Sequence, residues 1–394
     1  MSTTTIRRIE GDEILTILHS LSTYAFRASP PLPDIAESAE WRKSHPEILY
    51  VAAFDDRTAV ACAGASPLTQ NVRGALFKMA GIHNVATHPA ARRKGYAKGV
   101  LKHTFALLRQ QGHVFSCLWP FRELFYEKMG YVTFPLARRC TLHIPALAPL
   151  LDRDLGGDVD LTVIGDGFSA YRDYLFAALS RLHGMAVFDV ADTVGAQRNR
   201  FWLALARVEG EVVGAMLYEL RGEQIADFTM IVRRFLYRTS QGKYLLLAWI
   251  AHHTDQASKV ELWLPAFEHP ETWLDDLKIS AEPVPLSPMG RVLDVAKMGG
   301  MQTGAGRFTA RLSDPICPWN NGVWSFETAN GMLEASPGGK AQCDLGMQAI
   351  AALAYGTRDP ADFSIRGWGA PSPELQETMR AMFPARIPYL HESF

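Results

Sequence analysis

Cysteine is scarce and unpatterned in this chain. Five of the 394 residues are cysteine (Cys62, Cys117, Cys140, Cys317 and Cys343), with no Cys-x-x-Cys pair and no zinc-type spacing. That excludes a disulfide framework and a thiolate metal site, and the odd count, mostly inside apolar segments, points to buried thiols in a reducing compartment. An excess of charge is missing too. Lys and Arg total 40 against 41 Asp and Glu, a net charge of −1, so no global field draws the chain to nucleic acid or to an anionic membrane. No uninterrupted apolar run reaches transmembrane length, and the amino terminus, Met-Ser-Thr-Thr-Thr-Ile-Arg-Arg-Ile-Glu, lacks an apolar h-region. A cytoplasmic protein is the expectation. His88, His103, His113, His252 and His253 show no metal spacing with carboxylates, so no metal is expected.

What is present is a globular composition, 48% hydrophobic and 21% charged, in a chain too long for one ordinary core. Its most informative stretch is Val85-Ala86-Thr87-His-Pro-Ala-Ala-Arg92-Arg93-Lys94-Gly95-Tyr96-Ala97-Lys98. It reads as the end of a strand, a short basic glycine loop, and the start of a helix running to about Gln111. Backbone N–H groups at a helix start point outward without intrahelical partners, and the helix dipole adds partial positive charge. Gly95 lets the backbone approach a phosphate closely, while Arg92, Arg93 and Lys94 supply cationic donors, so the arrangement suits a pyrophosphate. The loop is not a Walker A loop, because no Gly-Lys-Ser/Thr ends it, and it lacks the three spaced glycines of a dinucleotide fingerprint. A second apolar strand, His113–Trp119, follows, and then Pro120-Phe121-Arg122-Glu-Leu-Phe125-Tyr126-Glu-Lys-Met-Gly130-Tyr-Val.

Around these motifs the pattern predicts strand Thr5–Arg8, helix Asp12–Phe26, a proline-rich loop, a hairpin Ile48–Phe54 with Thr58–Ala65 about Asp55-Asp56-Arg57, and a strand pair Val72–Met79 and Gly81–Thr87. It then recurs. Phe201–Val208 and Glu211–Leu220 form a hairpin, Glu223–Val232 a strand, Gln241–His253 a helix, and Lys259–Leu264 a strand ending in Leu-Trp-Leu-Pro, as the first copy ends in Cys-Leu-Trp-Pro. This is an internal duplication. The second copy's loop, Arg233 to Lys243, has lost the Arg-x-x-Gly-x-Ala spacing, so no cofactor is expected there. Ala281–Pro288 looks like a linker, and Arg291-Val-Leu-Asp-Val opens a third unit with strands Gly306–Ser313, Gly322–Thr328 and Gly331–Ser336 and a short helix, Leu345–Tyr355.

Strand, Arg-x-x-Gly-x-Ala, amphipathic helix, strand and Phe-Tyr-x-x-x-Gly-Tyr together resemble the GCN5-related N-acetyltransferase (GNAT) family over about residues 40–135. The third unit resembles the sterol-carrier-protein-2-like fold. An acetyltransferase domain, a silent copy and a sterol-carrier-like tail resemble, as a whole, the Eis (enhanced intracellular survival) N-acetyltransferase family. The resemblance implies an α+β fold of tandem GNAT domains, 1–145 and 146–285, followed by a sterol-carrier-protein-2-like α/β domain, 286–394, whose end reaches the active site. It implies a homohexamer that uses acetyl-CoA, with no metal, to acetylate a small-molecule or protein amine, such as an aminoglycoside-like polyamine or a lysine side chain.

Acetyl transfer to an amine requires that the thioester be held, its carbonyl polarised, the ammonium deprotonated and the leaving thiolate protonated. By match to the family, backbone N–H groups at Val85–Thr87 face the thioester oxygen, and one such donor is worth about 3 kcal/mol in the transition state. Tyr126 matches the general acid, since a phenol of reference pKa about 10 keeps its proton at neutral pH. Tyr131 reads as a packed aromatic. In the Eis family the base is the terminal α-carboxylate, which places that role on Phe394. Its reference pKa of about 3.5 makes it a weak base that geometry and desolvation must help. The loop 92–98 holds the pyrophosphate, with Phe121 and Arg122 beside the pantetheine arm. Tyr24, Phe26, Trp41 and Glu392 are candidate walls of the acceptor pocket, although few carboxylates beyond Glu37, Glu40 and Glu392 accompany them, fewer than a polycation pocket wants. A second reading stays open at this point: a CoA- or lipid-binding protein that uses the sterol-carrier-like unit without acetyl transfer.

Overall fold

The computed structural model describes residues 4–27, 29–30, 39, 42–198, 201–224 and 226–394. They form two compact units. Met1–Phe134, His183–Val190 and Pro288–Phe394 make up one, and Pro135–Leu182 with Ala191–Ser287 the other.

The chain opens with β1 (Thr4–Arg8), α1 (Asp12–Arg27), β2 (Leu49–Asp55), β3 (Thr58–Val72), β4 (Ala75–Thr87), α2 (Tyr96–Gln110), β5 (Phe115–Leu118), α3 (Glu123–Glu127) and β6 (Val132–Thr133). After β7 (Arg138–His143), β8 (Asp158–Val163), α4 (Ile164–Leu179) and β9 (Ala186–Phe188) come β10 (Trp202–Val208), β11 (Glu211–Arg221), β12 (Phe228–Tyr237), α5 (Ser240–Ala251), β13 (Ala257–Leu264), β14 (Ser280–Pro283) and β15 (Met289–Val292). The end of the chain supplies β16 (Arg307–Ser313), β17 (Gly322–Ala329), β18 (Met332–Pro337), β19 (Cys343–Gly346), α6 (Met347–Tyr355) and α7 (Pro373–Met382).

The first unit's large sheet runs β1-β2-β3-β4-β5-β15-β6, with β9 alongside β3, and the second unit's sheet runs β8-β10-β11-β12-β13-β7-β14. The two orders are the same order. Three antiparallel neighbours lead to a parallel pair, β4 with β5 in one and β12 with β13 in the other, joined across a helix. The duplication is therefore a repeat of one topology. In each sheet the strand between the fifth and the last comes from elsewhere in the chain: β15 follows the second repeat yet pairs with β5 and β6, while β7 follows the first repeat yet pairs with β13 and β14. The proline-containing stretch that reads as a linker thus carries β14 and leads straight into an inserted strand.

Where the pattern predicts three strands after β2, Thr58–Ala65, Val72–Met79 and Gly81–Thr87, there are two long ones. β3 and β4 stay paired from Ala61↔Thr87 to Val72↔Ala75, and the chain reverses at Arg73-Gly74, both at positive φ. Gly81 packs inside this ladder instead of opening a new strand. In the second repeat, β12 continues through Arg233 to Tyr237, so only Arg238 and Thr239 separate strand from helix. There the Thr239 hydroxyl accepts the Gly242 N–H at 3.0 Å, so a side chain already occupies one of the outward donors at that helix start.

Helix α1 lays Ile14, Ile17, Leu18 and Leu21 on one face of the first sheet, against Tyr50, Ala52 and Phe54. Helix α2 covers the opposite face, burying Val100, Leu101, Phe105 and Leu108 against Val51, Ala53, Ala63 and Ala80. The spacing i, i+1, i+5, i+8 is one stripe of a 3.6-residue helix. The terminal four-stranded sheet, β18-β17-β16-β19, packs with α6 and α7 into a third core. Buried polar ties fix that layer to the first sheet. Arg73 gives Nε to the Ala354 carbonyl at 2.8 Å and Nη2 to those of Leu353 and Pro384 at 2.8 and 2.9 Å. Arg291, on β15, pairs with Asp314 at 2.7 Å, both essentially unexposed. The Tyr355 hydroxyl donates to Gln70 Oε1 at 2.9 Å. Removing one partner of such a buried pair leaves an uncompensated charge and costs about 3–5 kcal/mol.

Candidate active site

The basic loop sits where the sequence places it, between β4 and α2. Pro89–Ala91 form one turn of 3-10 helix, capped by His88, whose Nδ1 accepts the Ala90 N–H at 3.3 Å. Arg93 and Gly95 both take positive φ, 65° and 87°, which turns the backbone sharply into the helix. Gly95 is the residue at the helix start, and nothing lies within 4 Å of where its Cβ would be. Arg92, Arg93, Lys94 and Lys98 are exposed and Tyr96 and Ala97 half-buried. Among the described residues the only side-chain bond in the group is a long one, Arg92 Nε to the Thr87 carbonyl at 3.5 Å, and none of these cations has a carboxylate partner. Four cations that spend only one long bond on the protein itself, beside a bare helix start, form an anion site.

Beside the loop the first sheet opens. β4 pairs with β5 only from Met79↔Phe115 to Ile82↔Leu118. Beyond that point the β5-facing edge of β4, through Val85, Ala86 and Thr87, has no strand partner among the described residues. On its other edge β4 carries a bulge: Gly64 pairs with His83 and Cys62 with Ala86, so Ala63 faces two residues, Asn84 and Val85. Asn84 takes positive φ, 50°. The Ser22 hydroxyl on α1 donates to its Oδ1 at 2.9 Å and the Cys62 thiol to its carbonyl at 3.5 Å. The extra residue bends β4 away from β5 and shifts which side chains face α1.

The carboxyl-terminal tail runs into this opening. The Tyr389 N–H donates to the His183 carbonyl at 2.9 Å, and Leu390 is buried. Trp119, immediately after β5, donates its indole N–H to the Glu392 carbonyl at 3.1 Å, and the Glu392 carboxylate lies 3.1 Å from His391. The ring of Phe394 then lies flat against Gly81, where a Cβ would come within 2.7 Å of it, with Phe188 edge-on at 6.4 Å. Gly81 is one residue from the end of the β4–β5 pairing, so the tail ends at the mouth of the splay.

Tyr126 is in α3, 3% exposed. It is fixed by three edge-on ring contacts, Phe121 at 5.6 Å, Phe125 at 5.0 Å and Tyr131 at 5.9 Å. Among the described residues nothing hydrogen-bonds its hydroxyl, and burial pushes its pKa well above that of a free phenol. Tyr131 is buried too, but its hydroxyl is spent on Ser116 at 2.6 Å. Phe121 and Arg122 are exposed, and Arg122 is the residue at the start of α3. Tyr24 and Phe26 are exposed on the last turns of α1, 56% and 59%, not packed as core residues. Trp41, Glu37 and Glu40 lie outside the described residues. The structure therefore gathers Val85–Thr87, the loop, Gly81 and Phe394 along one strand. The sequence reading missed Trp119, Gly81, Asn84 and Phe188. Only the Trp-Pro that ends β5 carried a signal for any of them. Among the described residues no group of three or more His, Cys, Asp or Glu could hold a metal ion, and no helix is long and apolar enough to cross a membrane.

Residues 5–134 match the acetyltransferase (GNAT) domain family and residues 295–391 the sterol carrier protein domain family. No curated protein matches the chain. Among solved structures, a GCN5-related N-acetyltransferase from Anabaena variabilis superposes over 100% of both chains with a TM-score of 0.84 at 17% identity. A probable N-acyltransferase from Enterococcus faecalis does so with 0.83 at 19%, again over 100% of both. Eis1 from Mycobacterium abscessus superposes with 0.78 at 14%, likewise over 100% of both. The chain thus carries a GNAT acetyltransferase domain and a sterol carrier protein domain, within a fold that it shares over its whole length with Eis1 and the other two proteins.

Proposed function

We propose that the chain transfers an acetyl group from acetyl-CoA to a primary amine by direct attack, in the first unit. The observation that carries this reading is the convergence of three features at one place: the unspent cationic loop, the unpaired edge of β4 past Ile82, and the tail ending on Gly81. The residues present suit the nucleotide. Open space at Gly95 admits a phosphate to the backbone, and Arg92, Arg93, Lys94 and Lys98 offer charge-assisted donors to its diphosphate. Acetyl-CoA, when bound, supplies the acetyl group as an activated thioester.

The protein's own groups account for the remaining requirements. The N–H at Val85 is on the strand edge that β5 leaves unpaired, the position for polarising a carbonyl oxygen, at about 3 kcal/mol for one donor. Tyr126 holds its proton across the neutral range and is the acid that returns a proton to a departing thiolate. The α-carboxylate of Phe394 follows a ring anchored on Gly81, and it is the base that accepts the proton of the attacking ammonium. Trp119 positions that residue by holding the Glu392 carbonyl.

Thiol release from acetyl-CoA over a panel of primary amines tests the reading. Transfer that is lost in Tyr126→Phe, and lost again when residues are added after Phe394, with CoA affinity kept in both, is the expected pattern. Undiminished transfer in the extended chain removes the carboxylate from the mechanism. A wild-type protein that binds no CoA ends the proposal.

A further inference from the structure

The face of the first sheet under α1 carries a row of side chains that the transfer steps leave unused. Tyr50 on β2 stands opposite Gly64 on β3, and Gly64 opposite His83 on β4. Because Gly64 has no side chain, the two rings close over it. A Cβ there would lie 2.4 Å from the His83 ring and 2.8 Å from that of Tyr50, and the ring centroids are 5.8 Å apart, edge to face. The neighbouring row on the same face is Ser66 opposite Gly81, with Phe394 on it. Alternate residues of a strand share a face and repeat every 6.8 Å or about that, so the Tyr50–His83 row lies one step from the tail residue. Ser66 joins the two rows, its hydroxyl 3.0 Å from His83 Nε2.

Over Tyr50 lies the guanidinium of Arg42, 4.2 Å from the ring centroid. Among the described residues its Nε and Nη1 have no acceptor although both atoms are buried, and the hydroxyl of Tyr50, a residue 2% exposed, faces only the Arg42 guanidinium. Burial raises the pKa of that hydroxyl, and Arg42 works against the rise while the more distant Glu47 adds to it. Buried donors of a fixed cation are costly unless something accepts from them. Burial, and then the charge of Arg42, draw the His83 imidazole down to about 4, so at neutral pH it is uncharged. The row therefore offers one positive charge and neutral donors, which matches a monoanion better than a phosphate dianion or a polycation.

We propose that Arg42 and Tyr50 bind the carboxylate of the acceptor, so that the amine this enzyme acetylates belongs to an amino acid and not to a polyamine. The proposal rests on the transferase reading above and narrows its substrate class. Charge-assisted bonds to a buried carboxylate change affinity by about tenfold or more.

The test compares amines with and without the carboxylate, phenylalanine against phenethylamine and ornithine against putrescine, on the full chain with acetyl-CoA, reading kcat/KM by thiol release. Wild type is expected to favour each amino acid by about tenfold or more. Arg42→Gln is expected to collapse that ratio towards one, Arg42→Lys to restore part of it, and Tyr50→Phe, which keeps the ring under the guanidinium, to lower it less. A residue that only supports the fold lowers both members of a pair together and leaves the ratio alone, an outcome that overturns the proposal. So does a wild-type preference for putrescine or spermidine. If no amine at all is turned over, the transferase reading has failed separately, and calorimetric titration of phenylalanine into the protein without acetyl-CoA decides the site by itself. Binding to wild type that Arg42→Gln abolishes supports the site, and no binding to wild type overturns it.

Discussion

The ring of Phe394 fills the space that a side chain on Gly81 would need, with a Cβ there only 2.7 Å from the ring. The last residue of the tail is thereby seated on the strand that also carries Val85. Gly81→Ala is expected to unseat it. Because the displaced group is the end of the chain, stability is expected to change by less than about 1 kcal/mol. The transfer rate is expected to fall by about tenfold to a hundredfold, the cost of a misplacement near 1 Å. Parallel urea denaturation and thiol-release assays check this. A variant that transfers normally separates the tail's position from the chemistry.

Tyr126→Phe removes one oxygen and leaves the three ring contacts. Transfer is expected to drop by about 10²–10⁴-fold, the range for a positioned acid, with an unchanged melting curve. Burial raises the pKa of this phenol, so it stays protonated where a free phenol, at about 10, begins to ionise. In the wild-type rate profile no alkaline limb below about pH 10 should belong to Tyr126. An alkaline limb near pH 8 that Tyr126→Phe abolishes contradicts the assignment.

The loop and helix at 92–110 were legible because every part of that signal is local: a strand end, a glycine at positive φ, a basic run and an apolar stripe of helical period. The doubled topology was legible for the same reason, down to the paired Trp-Pro and Trp-Leu-Pro strand ends. The origin of the inserted strands was not. Met289–Val292 is a strand of only four residues, Met-Gly-Arg-Val, and nothing within it says that its partners are Phe115–Leu118, more than 170 residues earlier. Asn84 was hidden likewise, since a bulge is a mismatch between two strands and neither sequence shows it alone. Core packing was the plainer reading of Tyr24 and Phe26, but the helix rotates both towards solvent because Leu18 and Leu21 take the sheet-facing stripe.

Arg92→Ala and Arg93→Ala are expected to raise the KM for acetyl-CoA by about tenfold each, as the loss of a charge-assisted bond to phosphate requires, with kcat little altered. Both side chains are exposed, and the one bond between them is the long contact of Arg92 with the Thr87 carbonyl, so the folded state should hardly notice. The effect should shrink as ionic strength rises, because exposed charges are screened over about 8–10 Å at physiological salt. Steady-state kinetics at low and high salt checks both points. Equal KM values in variant and wild type would remove the loop from cofactor binding.

His183 ties the segment before β9 into the first unit, and its partners fix its protonation. The Arg73 N–H donates to Nδ1 at 3.0 Å, so Nδ1 must be bare, while Nε2 lies 2.9 Å from the Tyr355 carbonyl and must carry the proton. Burial pulls its pKa down to about 4, the Tyr355 carbonyl working the other way and Arg73 and Arg386 adding to the fall. In the unfolded chain the imidazole takes up a proton near pH 6.5. Folding therefore excludes that proton, and the stability His183 contributes is complete above about pH 6.5 and is lost as the pH falls towards 4. His83, also drawn down to about 4 by burial and Arg42, adds a parallel loss. Urea midpoints measured from pH 7.5 to pH 4.5 should fall steadily for wild type. In His183→Gln, whose amide can serve both partners without titrating, the midpoint should begin lower and fall less steeply. Identical slopes for the two proteins would place the acid sensitivity elsewhere.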